Sequence, residues 1–182
     1  MNGKIGRITK IKRKKKKKNR YRRKEIKEAG EIVQIDSIHL RYWKIKLYVI
    51  TGIDRVSRYV YAVLNNVITT EFMSEMKEKV PFDIKAIQTD NGLECKKHFD
   101  KYVQDNKIIH YFNYPQNPKS NYIERFNRTI QEQSFNHIED NKDINEINKQ
   151  LRQYLHWYNF TKVHKVLNYI TPIEFINKNL IN

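Results

Sequence analysis

Apolar and polar positions first fall into three short runs that read as strands: about Glu31 to Leu40, Lys44 to Asp54 and Ser57 to Leu64. Segments such as Leu47-Tyr48-Val49-Ile50 and Tyr59-Val60-Tyr61 carry the β-branched and aromatic residues that pack well on a pleated surface. The links Arg41-Tyr42-Trp43 and Arg55-Val56 are short, so these strands are expected to be antiparallel neighbours. The spacing then changes. Thr69 or Thr70 caps a helix running to about Val80, with Phe72, Met73 and Met76 on one face and Pro81 as its stop. A strand follows over Ile84 to Thr89, then a helix over Lys96 to Asn106 and a strand over Ile108 to Phe112. A loop with Pro115 and Pro118 precedes a helix over about Asn121 to Ile138. Apolar residues at 144, 147, 151, 154, 155 and 158 make one helical stripe. Thr171 and Pro172 open a last short helix as cap and first residue. The order β-β-β-α-β-α-β-α-α predicts an α/β fold. Its mixed five-stranded sheet has three antiparallel strands first, then strands arriving through helical crossovers, with helices on both faces.

Against this pattern three carboxylates are misplaced. Asp36 interrupts the apolar run Ile32 to Ile38, and Ser37 and Ile38 continue the strand beyond it, so a turn does not explain it. Asp90-Asn91-Gly92 taken alone reads as an Asx turn. Glu124 taken alone reads as the partner of Asn121 in a capping box. Taken together, Asp36 lies on the central strand, Asp90 ends a strand able to neighbour it, and Glu124 starts a helix beyond the last strand. Carboxyl ends of strands are where open α/β sheets place their sites. Like charges brought together repel unless a cation joins them, and a divalent metal is the usual one. Two Mg²⁺ ions about 3.5–4 Å apart would suit phosphodiester chemistry and need no protein nucleophile. Arg128, one helical turn after Glu124, would meet a phosphate. Asp54, beside Arg55 and Ser57-Arg58, reads instead as a hairpin turn, and His39 is expected to point away from Asp36 by strand alternation.

Charge adds a partner. Residues 1–28 hold fifteen of the 36 Lys and Arg against two of the 20 Asp and Glu, which is +13 of the chain's +16. The segment lacks periodicity and reads as a disordered basic arm or linker ahead of a nearly neutral core over 29–182. Such an arm favours a polyanion, with nucleic acid the default. The six histidines are scattered without a metal-binding spacing, and the single cysteine, Cys95, allows neither an internal disulfide nor a Cys-rich zinc site, which suggests a reducing compartment. No apolar run approaches the roughly 18 residues of a membrane span.

Five segments in order carry a resemblance: Gly30-Glu31-Ile32-Val33-Gln34-Ile35-Asp36, Asp54-Arg55-Val56-Ser57-Arg58-Tyr59, Thr89-Asp90-Asn91-Gly92-Leu93-Glu94, Pro118 to Thr129 around Glu124, and Tyr158-Asn159 with His164, Leu167 and Thr171-Pro172. They resemble the catalytic core of DDE transposases and retroviral-type integrases, in the form found in bacterial insertion sequences. The resemblance implies a ribonuclease H-like fold. It also implies that Asp36, Asp90 and Glu124 bind two Mg²⁺ or Mn²⁺ ions and act in DNA hydrolysis and strand transfer. Phosphate contacts would come from Lys119, Arg125 and Arg128, with Asn91 helping to position the DNA. The partners implied are the element's ends and target DNA, in a homo-oligomer in the bacterial cytoplasm at the nucleoid. Two departures stand out. The interval from Asp90 to Glu124 is shorter than usual for the family, around Ser120-Asn121-Tyr122, and Lys162-Val163-His164 stands where similar transposases carry Arg-x-His. The alternative reading is a truncated, catalytically inactive DNA-binding remnant, and a third is a ribonuclease H acting on RNA–DNA hybrids.

Overall fold

A computed structural model describes residues 25–42, 45–64, 70–89, 97–113, 122–135 and 143–180. The strands are β1 Val33–Tyr42, β2 Ile45–Asp54, β3 Val60–Leu64, β4 Ala86–Thr89 and β5 Ile109–Phe112. The helices are α1 Thr70–Lys79, α2 Lys97–Asp105, α3 Tyr122–Gln133, α4 Ile144–Phe160 and α5 Pro172–Leu180. The sheet runs β3-β2-β1-β4-β5, antiparallel across the first three strands and parallel from β1 through β4 to β5. The expected element order and mixed sheet are therefore present, with β1 at the centre.

Strand alternation divides the core in two. Val33 and Ile35 of β1 face one apolar cluster with Phe72, Met73 and Met76 of α1, Phe99 of α2 and Ile176 of α5. Ile38 faces the other, with Ile123, Phe126 and Ile130 of α3 and Ile147, Leu151 and Tyr158 of α4. Helices thus cover both faces. The same alternation puts Gln34 and Asp36 on the α3 side. On α4 the expected stripe is buried at Ile147, Leu151 and Tyr158, while Ile144 lies exposed at its start.

β3 begins at Val60 rather than Ser57, because the Asp54 carboxylate gathers the preceding residues into a turn. It accepts from the Val56 amide at 3.1 Å, the Ser57 amide at 2.6 Å and the Ser57 hydroxyl at 2.7 Å. A fourth donor, the Gly30 amide at 2.9 Å, ties in the start of the fold. Asp54 is fully buried. Burial pushes its pKa up, against the four donors that favour the ionised form. Gly30 is needed there: its φ is +83°, and a Cβ would stand 2.0 Å from the Asp83 carbonyl oxygen. The reading of Asp54 as a turn residue matches this geometry.

At the other end of the chain, Thr171 and Glu174 cap α5 reciprocally. The Thr171 amide donates to Glu174 Oε2 at 2.8 Å, and the Glu174 amide donates to Thr171 Oγ1 at 3.3 Å. Asn159, buried near the end of α4, meets the backbone of β3 as a strand would: it accepts from the Val60 amide at 2.9 Å and donates to the Val60 carbonyl at 2.7 Å. Among the described residues no helix is long and apolar enough to cross a membrane.

Candidate metal centre

Asp36 sits in β1 directly opposite Thr51 of β2. The parallel ladder between β1 and β4 ends at Ile35 and Thr89, one residue before Asp36 on one strand and Asp90 on the other. Asp90 and Asn91 themselves lie outside the described residues, as do Lys119, Asn121 and the basic arm through Lys24. The two strands thus end side by side at Ile35 and Thr89.

Glu124 lies in the first turn of α3. It lines a cleft of about 480 Å³ together with Asp36, and Asn127, Arg128 and Gln131 follow along the same side of the helix. Two of the three expected acids thus share one cleft despite the short interval before Glu124. His39 reaches the rim of this cleft as well, but its Nε2 is 3.4 Å from the hydroxyl of Ser37, two residues back on the same strand face, so its ring lies on the side away from Asp36 as strand alternation predicts. Arg128 opens onto the cleft, whereas Arg125 lines a separate pocket on the other side of α3.

Three polar residues that the sequence did not mark hold the acids in place. Asn127 donates from Nδ2 to Asp36 Oδ2 at 2.9 Å and accepts on Oδ1 from the Thr51 hydroxyl at 2.8 Å. A carboxylate only accepts, so the amide orientation follows from the network. Thr51 is fully buried and Asn127 nearly so, and in such a setting each unmade hydrogen bond costs about 1–3 kcal/mol. Gln34 acts at the other end of the same helix. Its Oε1 accepts from the Tyr122 amide at 2.9 Å and the Ile123 amide at 3.2 Å, and its Nε2 donates to Gln88 of β4 at 3.0 Å. These are orphan amides of the first helical turn, satisfied here by a strand side chain. Helix α3 is therefore pinned to β1 at two points, with Glu124 between them. The sequence held a signal for both. Gln34 is two residues before Asp36 on one strand face, and Asn127 is three after Glu124 on one helix face.

Carboxylate oxygens suit a hard divalent cation, so the described donors fit such an ion. Among the described residues no three His, Cys, Asp or Glu side chains gather as one ligand group.

Residues 106–172 match the family model described as an integrase core domain. A protein of Spiroplasma virus SpV1-C74, named "Putative integrase ORF3", is 33% identical over 156 aligned residues, covering 72% of this chain and 42% of that one. The chain thus spans less than half the length of this curated relative. Among solved structures, the HTLV-2 integrase catalytic core domain in complex with magnesium superposes with a TM-score of 0.67 at 18% identity. That match covers 82% of this chain and 97% of the other. A chain of the simian T-cell lymphotropic virus intasome in complex with PP2A regulatory subunit B56 gamma aligns with a TM-score of 0.65 at 21% identity, over 81% and 55% of the two chains. The fold is that of retroviral integrase catalytic cores, the ribonuclease H-like arrangement.

Proposed function

We propose that this chain belongs to the integrase core family and cuts and joins DNA, with Asp36, Asp90 and Glu124 as ligands for two Mg²⁺ or Mn²⁺ ions. The observation that carries the reading is the shared cleft of Asp36 and Glu124, on a strand and a helix fastened to each other by Gln34 and Asn127. When bound, the ions would supply a polarised attacking oxygen and charge compensation for the leaving one.

The chain's own residues orient the reaction. Asn127 fixes the Asp36 carboxylate, and Gln34 fixes the helix turn that carries Glu124. Arg128, at the cleft, is suited to a phosphate oxygen of the bound strand. Lys119, Arg125 and Asn91 are proposed as further DNA contacts, and the arm over residues 1–28 as a source of sequence-independent affinity. In the first reaction water attacks a phosphodiester and leaves a free 3′-hydroxyl. In the second that hydroxyl attacks a phosphodiester of target DNA, one P–O bond forming as another breaks. Two DNA ends joined in one event imply a homo-oligomer on DNA.

The test is a Mn²⁺-dependent nicking and strand-transfer assay on duplex DNA. Asp36→Asn, Asp90→Asn and Glu124→Gln are each expected to lower the rate on the order of 10³-fold or more. Mutants as active as wild type would remove these residues from the mechanism. A wild type that binds DNA but neither cuts it nor takes up Mn²⁺ in calorimetry would be the inactive remnant.

A further inference from the structure

On the side of α3 away from the carboxylates lies a pocket of about 280 Å³ whose lining includes Arg58, Tyr122, Arg125, Tyr158, Lys162 and His164, and no Asp or Glu. The cations come from separate parts of the chain: the turn between β2 and β3, the first turn of α3, and the segment just beyond α4. Among the described residues none of Arg58, Arg125, Lys162 or His164 forms an ion pair. They rest on aromatic rings instead. The Arg58 guanidinium carbon lies 3.7 Å from the centroid of Tyr122 and that of Arg125 lies 5.5 Å from it, while Lys162 Nζ is 4.9 Å from Trp157 and 5.3 Å from Tyr158.

Like charges gathered without counter-charge are an unfavourable arrangement, and the pocket shows its effects. Burial holds the Lys162 ammonium below its ordinary pKa. Burial, together with the charges of Lys162 and Arg58, does the same to His164, against a hydrogen bond to the Tyr158 backbone that favours its protonated form. A hydrogen bond from Arg58, with the charges of Arg58, Arg55 and Arg125, lowers the Tyr122 phenol despite its partial burial. Two ring and guanidinium nitrogens, Arg58 Nη1 and His164 Nε2, are buried with no hydrogen-bond partner among the described residues. The backbone adds a cost of its own, because Arg58 has φ +64°, a left-handed conformation that favours glycine. Strain kept at a residue with one buried guanidinium nitrogen still unpartnered points to a function for that side chain.

We propose that this pocket binds a phosphate of the DNA backbone, a second anchor across α3 from the carboxylate cleft. An anion of that kind supplies the missing negative charge and accepts from Arg58 and Arg125 in the forked geometry that guanidinium groups favour. It also takes a hydrogen bond from His164 once the imidazole is protonated. A strand lying over α3 would then be held at one phosphate in the pocket while another lies at the carboxylates. The inference rests on DNA being the partner proposed above.

The test uses the full chain and two probes. With a labelled DNA duplex, metal-free, affinity is measured across salt concentrations for wild type, Arg58→Gly, Lys162→Gln and Arg152→Gln. Arg58→Gly places glycine where the backbone favours it, so the variant is expected to fold, as its melting curve will show. Arg58→Gly and Lys162→Gln are expected to weaken binding several-fold and to reduce the slope of log K against log salt by about 0.9, the loss of one phosphate contact. Arg152→Gln removes an exposed cation outside the pocket and is expected to leave the slope unchanged. With inorganic phosphate, the His164 ring signals should shift saturably in wild type and stay still in Arg58→Gly. Wild-type affinity and slope in both pocket variants would overturn the proposal while leaving DNA as the partner, and so would an equal slope loss in Arg152→Gln. A wild type that binds no duplex yet still shifts His164 with phosphate would overturn both the DNA reading and the backbone assignment. An unsaturable drift at His164 would overturn the anion site.

Discussion

Helix α3 has an acidic side and a basic side, and the chain holds them by different means. Toward the cleft, Asp36 is held by the amide of Asn127, and the helix turn bearing Glu124 is held by the amide of Gln34. Toward the pocket, Arg58, Arg125 and Lys162 rest on the faces of Tyr122, Trp157 and Tyr158. Amides position by direction, since each carries a donor and an acceptor at fixed angles. Aromatic rings position by contact area and a weak electrostatic attraction, about 0.5–1 kcal/mol at exposed sites. Neutral groups in both cases orient charged ones without cancelling their charge. The acidic side is the more rigidly specified of the two, which suits chemistry that tolerates little misplacement; the basic side suits grip on a polymer.

The difference predicts unequal sensitivity. The largest effect should come from Asn127→Ala, which releases the Asp36 carboxylate and leaves the buried Thr51 hydroxyl only its longer bond, at 3.2 Å, to the Asp36 carbonyl. Loss of a residue that orients a metal ligand typically costs 10–100-fold in metal affinity, so Mn²⁺ calorimetry should show a weakening of about that size. An unchanged isotherm would mean that Asn127 is structural only. Gln34→Leu should come next. It strips the acceptor from two amides of α3, and urea unfolding should report a loss of about 1–2 kcal/mol. A wild-type midpoint would show that the helix end finds other partners.

The smallest effect belongs to the basic side. The folded-state pKa of His164 lies below its ordinary value. Facing it are Arg58 from the β2–β3 turn, Tyr158 of α4, Lys162 just beyond that helix and Arg125 of α3. The unfolded chain takes up a proton at this residue near pH 6.5, and the folded chain only at lower pH. Between those values the unfolded state binds more protons, so stability is retained above about pH 6.5 and declines as pH falls through the window. Melting temperatures from neutral to mildly acidic pH should decline less steeply in His164→Gln than in wild type. Equal slopes would remove His164 as the titrating group.

Most of what could be read from sequence came from local pattern. The strand runs, the helical face of Phe72, Met73 and Met76, and the cap at Thr171 each depend on residues within a few positions of one another. Asp36 at the sheet centre followed from strand order alone. Face periodicity sets Gln34 beside Asp36 and Asn127 beside Glu124, but what Gln34, Thr51 and Asn127 bond was not legible because their partners lie 88, 76 and 91 positions away. Gln34 is 1% exposed. The capping box expected of Asn121 and Glu124 involves a residue outside those described; the amides of Tyr122 and Ile123, just before Glu124, are met by Gln34 from another element altogether. Arg58 was opaque for a different reason. A left-handed residue is usually announced by glycine or asparagine, and here the position holds an arginine.

The turn around Asp54 sets how the molecule breathes. Amides of Gly30, Val56 and Ser57 all donate to one buried carboxylate, and Gly30 in turn accepts from the Lys85 amide at the approach to β4. The Val56 and Ser57 bonds are local to the turn, whereas the Gly30 amide is freed only when the start of the fold separates from that turn. Its exchange with deuterated water should be the slowest of the three, approaching the rate set by global opening. Gly30, near the start of the described chain, is then among the last places to loosen.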